Sequence, residues 1–438
     1  MLHAPYGLQR ELLGRAGTDH QGCPRFHDFP KAWAAYELTG RVDRQALEDA
    51  LASVFDAADV FRQTIAGARA GGRTVDPPRH PCFAADSTEA AERRFRSAIL
   101  PLLFDPGDLA AGARPFSLTV HAPGRTLLAL GADHAFLDGY SLSVLLRAVT
   151  RDYQCRVRNE EPAPLPPGIP VLAARFRNPS ERTDLARHFA ACPQPATSLS
   201  LPGTRELPPE HWEAHDTHQF LVTAADAGGL RAWCARRSVA VSAAWRALVQ
   251  FTASVWRRDE EPVPVLYARL GRTGTDALRA VGPFYESVVS LPGPRLSGDF
   301  DTWAGQGAEP GIEAPPLLGA WLSDFTGQRR LDLYRLVSFN YLPLPRPVRL
   351  DDATAAPVGG PLLAGLQPRP PQRLEKRNGV HAVVYRLTAG RFLVQVRADP
   401  RIAGTAKGFG QALRQALLLM GEGAPVSVVR RSVADAWG

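Results

Sequence analysis

The stretch RTLLALGADHAFLDGYSLSVLL, residues 125–146, runs from a nearly all-apolar segment through a short loop into a helical pattern. Residues 115–121 precede it across a Pro-Gly turn, and with residues 125–133 they predict a β-hairpin. Because the second strand is almost entirely apolar, we expect it in the middle of a sheet. Apolar residues at helical spacing then predict a helix from Tyr140 to Tyr153.

His134 stands directly after the predicted central strand, followed by Asp138 and Gly139. A histidine there can reach a cleft from a rigid backbone, and histidine exchanges protons near neutral pH. Asp138 can orient the imidazole or anchor the loop through an arginine, and Gly139 permits a tight turn. Amides at the helix N-terminus can stabilise an oxyanion. The alternative is a loop histidine that is satisfied by a local carboxylate.

A second copy of this layout occurs near the end of the chain. Residues 379–397 predict another hairpin with an Ala-Gly turn, followed by a short loop and a helix over residues 405–420. Pro400 stands in the loop where His134 stands in the first copy. We therefore predict two related halves, of which only the first carries the base. Chance similarity between two hairpin units is the alternative.

The remaining elements follow from hydrophobic periodicity and turn residues. They are a strand at 31–38, a helix at 43–55 capped by Asp43, a strand start at 61–65, a connection rich in Pro, Arg and Glu at 156–212, a strand at 217–223 and a long helical region at 226–257. At 438 residues the chain is too long for one ordinary core. We place the two domains at residues 1–170 and 171–438.

Composition excludes several function classes. The net charge of +7 comes almost entirely from arginine, and no basic cluster is interleaved with aromatic residues, so we expect no nucleic-acid partner. Five cysteines without a C-x-x-C pair argue against a disulfide framework and a cysteine zinc site. No signal-peptide pattern and no membrane-spanning apolar stretch occur, which favours a cytoplasmic protein without membrane contact.

Three histidines share a spacing that suits a metal site on a helix: His211, His215 and His218. Two prolines precede them, and the residues from His218 to Val222 alternate as in a strand. We therefore expect no bound metal.

Several segments together resemble the condensation domains of nonribosomal peptide synthetases. Residues 131–141 resemble the family's H-H-x-x-x-D-G core, and residues 281–288 resemble its V-G-x-F-x-N-T motif. Residues 34–64 follow its opening strand, helix and R-T-x-F element, and residues 338–342 match its late strand that faces the active site. The resemblance is collinear from about residue 30 to residue 420.

This resemblance implies an α/β (α+β) fold of two chloramphenicol-acetyltransferase-like subdomains, forming a V-shaped pseudo-dimer with a central tunnel around His134. It implies an acyl- or peptidyl-carrier protein as donor partner, whose phosphopantetheine arm brings a thioester, and no permanently bound cofactor. The acceptor would be a small molecule or a second carrier protein. We expect a monomer.

The resemblance also implies roles for individual residues. His134, Asp138 and Gly139 would be catalytic, with Arg272 as the partner of Asp138; a surface arginine is the alternative. Asn340 would line the cleft; a buried asparagine that bonds the backbone is the alternative. The expected substrate contacts are Tyr140, Ser141, Phe284, Glu286 and Ser287.

The chain departs from the family at four places. Asp133 replaces the first histidine of the core, and its negative charge is expected to favour the protonated imidazole of His134. Tyr285-Glu286-Ser287 replaces the usual V-N-T, which changes the acceptor side. The early S-x-A-Q motif and the H-Q-D segment expected at 305–320 are not recognisable. The resemblance is thus to a divergent member.

We therefore expect a free-standing condensation enzyme, since the chain shows no carrier-type Gly-Gly-x-Ser site and no room for an adenylation domain. It would be an acyltransferase that moves an acyl or aminoacyl group to an amine or hydroxyl in secondary-metabolite biosynthesis. One alternative is a coenzyme A-dependent O- or N-acyltransferase of the plant BAHD type, although the D-F-G-W-G element of those enzymes is missing. The other is a degenerate domain that recruits a tailoring enzyme to a carrier protein; such domains lose the histidine or glycine, and both remain here.

Overall fold

The computed structural model describes residues 31–66, 69–72, 78–103, 112–162, 164–175, 216–257, 265–270, 272, 274–289, 296–308, 337–343, 347–358, 380–398 and 405–436. Its strands are β1 (Lys31–Gly40), β2 (Gln63–Ala66), β3 (Arg69–Gly72), β4 (Cys82–Ala84), β5 (Phe116–Ala122), β6 (Arg125–Asp133), β7 (Asp216–Val222), β8 (Val265–Leu270), β9 (Tyr285–Val289), β10 (Val337–Pro343), β11 (Val348–Leu350), β12 (Ala353–Pro357), β13 (Val380–Arg386) and β14 (Phe392–Ala398). Its α-helices are α1 (Arg44–Ala57), α2 (Thr88–Leu103), α3 (Gly139–Val157), α4 (Gly168–Arg175), α5 (Gly228–Arg237), α6 (Val241–Arg257), α7 (Gly274–Arg279), α8 (Phe300–Ala308), α9 (Thr405–Leu418) and α10 (Val426–Asp435).

The first sheet has the strand order β11-β12-β1-β6-β5-β4. The predicted hairpin is present as β5 and β6, and β6 lies inside the sheet, antiparallel to both β1 and β5. From Thr126 to Asp133 every residue of β6 is buried, which explains its apolar sequence. The central position of this strand is confirmed, and it delivers the chain to His134 from a rigid base.

The second sheet has the order β7-β14-β13-β10-β8-β9. The predicted late hairpin is present as β13 and β14, and its turn places Ala389 and Gly390 at positive φ values of 55° and 70°. Helix α9 follows it, as predicted. The loop that contains Pro400 lies outside the described residues.

The two sheets share a four-strand pattern. In the first, β1 is antiparallel to β6, β6 is antiparallel to β5, and β5 is parallel to β4. In the second, β7, β14, β13 and β10 repeat these relations in the same order. In both, a helix follows the second hairpin strand. The predicted α/β class with two related halves is confirmed at the level of topology.

Helices cover the first sheet on both faces. Helices α1 and α3 contact each other and contribute Leu51, Phe55 and Leu145 to one apolar core, while α2 packs Phe95 and Ile99 against the other face. In the second half, α6, α8 and α9 contribute to a third core with Trp245, Trp303 and Phe409 among its fully buried side chains. The first sheet is therefore a layer between helices, and the second sheet is a layer packed against helices.

By its contacts the chain divides into two units that are not continuous in sequence. The first takes its described residues from Met1–Pro179, Leu270–Glu286 and Pro345–Gln372, and the second takes the remainder. A single division at residue 170 does not reproduce this arrangement. The reason is that β12, from the late part of the chain, pairs with β1 and extends the first sheet.

Three local predictions need correction. The helical region expected over 226–257 is two helices, because Ser238 adopts a left-handed conformation with φ 54° after α5. The expected connection from residue 156 contains helix α4. Phe61 and Arg62 belong to a 3₁₀ turn, Asp59–Arg62, that precedes β2.

Among the described residues, no helix combines the length and apolar character needed to cross a membrane. His218 lies in β7, and its strand conformation agrees with the alternation seen in the sequence. His211 and His215 lie outside the described residues.

Candidate active site

The loop after β6 is fixed by its own apolar residues. A turn is closed by the Phe136 amide, which donates to the Asp133 carbonyl at 2.9 Å. Ala135, Phe136 and Leu137 are all fully buried in the core beneath α3. His134 is the half-buried residue of this turn, and its ring centroid lies 6.1 Å from that of Tyr285. The loop thus presents one imidazole from an otherwise buried segment.

Asp138 is the N-cap of helix α3 and is itself buried. Its Oδ1 accepts from the Ser141 amide at 2.7 Å and from the Arg272 guanidinium at 2.8 Å, and its Oδ2 accepts from the Phe284 amide at 3.1 Å. Both carboxylate oxygens are therefore engaged by groups that hold the loop. This geometry favours anchoring over direct orientation of the imidazole.

Arg272 supplies the cation that was expected opposite Asp138. Its side chain is fully buried, so the alternative of a surface arginine is wrong. Its Nη1 donates to the carbonyls of Ala277 and Ala280 at 2.5 and 2.7 Å, and its guanidinium carbon lies 4.2 Å from the ring centroid of Phe284. One arginine thus ties the loop after β6 to the segment that precedes β9.

Ser141 and Phe284, which we expected to contact substrate, are both buried against protein groups. Ser141 is fully buried; its hydroxyl donates to the Gly282 carbonyl at 2.9 Å and accepts from the Gly282 amide at 3.0 Å. Phe284 is also fully buried, against Leu172 and Ala277. Ser141 thus holds the 281–284 segment against the start of α3, and Phe284 packs into the small core next to it.

Asp133, at the position of the family's first histidine, is fully buried in an ion cluster. Lys31 Nζ lies 2.8 Å from its Oδ1, and Arg114 donates from Nε and Nη2 to its two oxygens at 3.1 Å each. Arg114 holds a left-handed backbone conformation with φ 41°. Two cations face this carboxylate, so its charge is compensated within the cluster. The structure assigns Asp133 to fixing the end of β6.

Gly139 is the first residue of α3 and is exposed. Its φ is not in the left-handed region, and a Cβ built on it meets no atom within 4 Å. The backbone at Gly139 therefore does not use the conformational freedom that glycine permits. The glycine leaves open space at the N-terminus of a 19-residue helix.

The remaining predicted site residues are placed as follows. Tyr140 is half-buried, with the Arg272 guanidinium carbon 4.7 Å from its ring centroid. Glu286 and Ser287 belong to β9, but their side chains lie outside the described part of the chain. Asn340 is half-buried in β10, opposite Val383. Their contacts with substrate remain predictions.

The holding roles of three residues were not found from the sequence. Lys31 and Arg114 are the partners of Asp133, and Gly282 is the backbone partner of Ser141. The register of β1 on β6 pairs Lys31 with Asp133. The sequence could have indicated this pair, because the lysine is the first residue of one apolar strand and the aspartate is the last residue of its neighbour. Arg114 had no comparable signal, because a residue just before a strand has no fixed direction in the sequence pattern.

Solved condensation domains share this architecture. The starter condensation domain of rhizomide synthetase, solved as a double mutant with C8-CoA and Leu-SNAC, is 15% identical, with a TM-score of 0.70 over 97% of this chain and 96% of its own. The first condensation domain of the CDA synthetase is 13% identical, with a TM-score of 0.67 over 98% of each chain. The SgcC5 protein from Streptomyces globisporus, in complex with a naphthyl-ethanediol and sucrose, is 15% identical, with a TM-score of 0.70 over 96% of this chain and 100% of its own.

At this identity the likeness establishes the fold. The chain has the two-subdomain, chloramphenicol-acetyltransferase-like fold of condensation domains. No protein-family model matches the sequence, and no curated protein matches it.

Proposed function

We propose that the protein is a condensation-type acyltransferase that transfers an acyl or aminoacyl group from a carrier-protein thioester to an amine or hydroxyl. The observation that carries this proposal is the His134 loop. One half-buried imidazole stands just after a central strand, on the loop that leads into helix α3, in a fold shared with condensation domains. The buried Asp138–Arg272 pair supports it by keeping this loop in one conformation.

In this proposal His134 acts on the acceptor. The imidazole takes the proton of the attacking amine or hydroxyl, or holds that group in line with the thioester carbonyl. As the new bond forms, negative charge develops on the carbonyl oxygen, and in this proposal the positive end of the α3 helix dipole stabilises it. The phosphopantetheine thiolate leaves and takes up a proton.

A coenzyme A donor is the second candidate. The rhizomide synthetase domain was solved with C8-CoA, whose pantetheine arm has the same chemistry as that of a carrier protein. The diol in the SgcC5 structure is a hydroxyl compound, so we propose an ester as well as an amide as the product to be tested. The Asp133 cluster gives no information about the donor or about ester against amide formation, because its charged groups pair with one another within the first unit.

The donor is tested by supplying the protein with an acyl-loaded carrier protein and, separately, with the matching acyl-CoA, each with amine and alcohol acceptors. Product formation is followed by mass spectrometry. We expect turnover with the carrier-bound donor. Turnover with acyl-CoA alone would assign the protein to coenzyme A-dependent enzymes, and no turnover with either would favour a recruiting domain.

His134→Ala tests the catalytic assignment. We expect turnover to fall by about 10²–10⁴-fold, since a positioned proton acceptor contributes that much, while the melting temperature changes little because the ring is half-exposed. His80→Ala is the matched control: this half-buried histidine in the same unit lies against Ser117, 2.7 Å from its hydroxyl. Unchanged turnover in His134→Ala would refute the assignment.

A further inference from the structure

A second cluster of reactive side chains lies at the turn end of the β5–β6 hairpin. Glu48 on α1, Cys82 on β4 and His121 on β5 place one donor atom each within 4.8 Å of one another. They are far apart in sequence, which is why our expectation of no bound metal, drawn from sequence spacing, took no account of them. Strands β5 and β6 pair in register from this end to Gly131, three residues before His134. The length of a strand, roughly 20 Å, therefore separates the cluster from the candidate active site.

His121 is held as a ligand would be. Its side chain is 2% exposed, and Nδ1 lies 2.9 Å from the Thr126 hydroxyl. If that hydroxyl accepts the Nδ1 proton, the lone pair of Nε2 points at the cluster.

The Nε2 atom of His121 is the unexplained feature. It is buried, lies 3.5 Å from the Glu48 carboxylate, and has no hydrogen-bond partner among the described residues. Buried polar atoms are almost always satisfied, so an exception calls for an ion or a water as partner. The hydrogen bond between Cys82 and Glu48 does not satisfy this nitrogen, because it does not involve His121.

The other two donors complete a set with the right charge. Cys82 Sγ lies 2.6 Å from Glu48 Oε1, so the thiol donates its proton to the carboxylate. A divalent cation would displace that proton, and one thiolate with one carboxylate would neutralise its charge.

We propose that Glu48, Cys82 and His121 bind one zinc ion. Sulfur, imidazole nitrogen and carboxylate oxygen are the ligand types that zinc prefers, and the exposed side of Cys82 leaves a fourth position for water. The ion would join helix α1 to the short edge strand β4 and to β5. Its distance from His134 makes this a structural clip of the first unit and not part of the transfer reaction.

The test uses the full chain, freed of metal by a chelator and titrated with Co²⁺ as a spectroscopic probe. We expect one equivalent of a thiolate-to-cobalt charge-transfer band that zinc displaces. Zinc at about a hundred times its dissociation constant should raise the melting temperature by about 5 °C.

Variants assign the band to this site. Cys82→Ser should lose one equivalent of the band, whereas Cys155→Ser, which removes another thiol of the same unit, should keep it. Thr126→Val removes the group that orients His121 and leaves all three donors, so zinc affinity should fall by about 10- to 100-fold. A band that never forms, or that is undiminished in Cys82→Ser, overturns the proposal; so does zinc affinity that is unchanged in Thr126→Val.

Discussion

Asp133 and Asp138 flank His134, and each carboxylate is buried against basic side chains. Asp133 meets Lys31 and Arg114 at the end of β6, and Asp138 meets Arg272 at the start of α3. A buried charge that loses its partner costs far more than an exposed one, because the remaining charge cannot reach water. The two aspartates thus fix the loop from both ends.

Asp138→Asn keeps the size of the side chain and removes its charge. It leaves Arg272 buried without a counter-ion, so we expect the free energy of unfolding to fall by about 3–5 kcal/mol in urea denaturation. Arg158→Ala is the control, since it breaks an exposed pair with Asp351 and should change stability little. Equal stability of Asp138→Asn and the wild-type protein would contradict the anchoring role.

Asp133→His restores the histidine found in the resembling family. Here it should destabilise the protein by at least about 3 kcal/mol, because it leaves the charges of Lys31 and Arg114 uncompensated. Lys31→Met should recover part of this loss, and a double-mutant cycle measures the coupling. A stable Asp133→His single variant would show that the ion cluster is dispensable.

At the scale of elements, helices α3 and α4 each begin with a glycine, for opposite reasons. Gly139 faces open space, whereas a Cβ on Gly168 would lie 2.0 Å from the Val281 carbonyl oxygen. Gly168 and Ile169 also donate their amides to the two oxygens of Asp59 at 2.8 and 3.0 Å. The start of α4 is therefore packed directly against the segment that carries Gly282 and Phe284.

Gly168→Ala and Gly139→Ala separate these reasons. We expect Gly168→Ala to lower the free energy of unfolding by about 3 kcal/mol through overpacking against backbone. Gly139→Ala should leave stability within about 0.5 kcal/mol, yet reduce turnover by roughly 10- to 100-fold if the open space receives substrate. Full activity in Gly139→Ala would remove this residue from the site.

Local pattern explains which elements were predicted and which were not. The two hairpins and the helices after them followed from alternation, turn residues and helical spacing, because these depend on neighbours in sequence. The start of α1 at its cap Asp43 followed in the same way; its carboxylate accepts from the Ala46 amide at 3.0 Å. The break at Ser238 was missed because nothing in the pattern of residues 226–257 marks one serine as left-handed.

The residues of the candidate site likewise differ in whether local sequence pattern reveals them. His134 and its loop were visible in sequence, and the Asp138–Arg272 pair came from resemblance. The burial of Ser141 and Phe284 was not visible, because it depends on Gly282 being brought against α3 from 141 residues away. Such pairings are set by tertiary contacts that periodicity does not record.

At the scale of the molecule, the first unit is assembled from three separate segments. Strand β12 covers one side of β1, and Arg272 neutralises Asp138, so residues far downstream complete both its sheet and its site. Cutting the chain once, after its first segment, would separate both β12 and Arg272 from the rest of the first unit. The two units are therefore joined by more than one crossing of the chain.

A fragment ending at residue 179 tests this arrangement. We expect it to lack cooperative urea unfolding and near-ultraviolet circular dichroism, since β1 becomes an edge strand and Asp138 stays unpaired. Co-expression with residues 180–438 should restore both signals. A fragment that unfolds cooperatively by itself would show that residues 270–286 and 345–372 are not needed.

Because Arg272 lies far downstream of Asp138, the two partners are synthesised at different times during translation. Asp138 leaves the ribosome 134 residues before Arg272, an interval on the order of ten seconds at usual elongation rates. Until then its carboxylate must stay hydrated, and the loop of His134 cannot take its final place. All of β7, α5 and α6 is synthesised during this interval. The loop that carries the candidate base can therefore reach its final conformation only after more than half of the chain has been made.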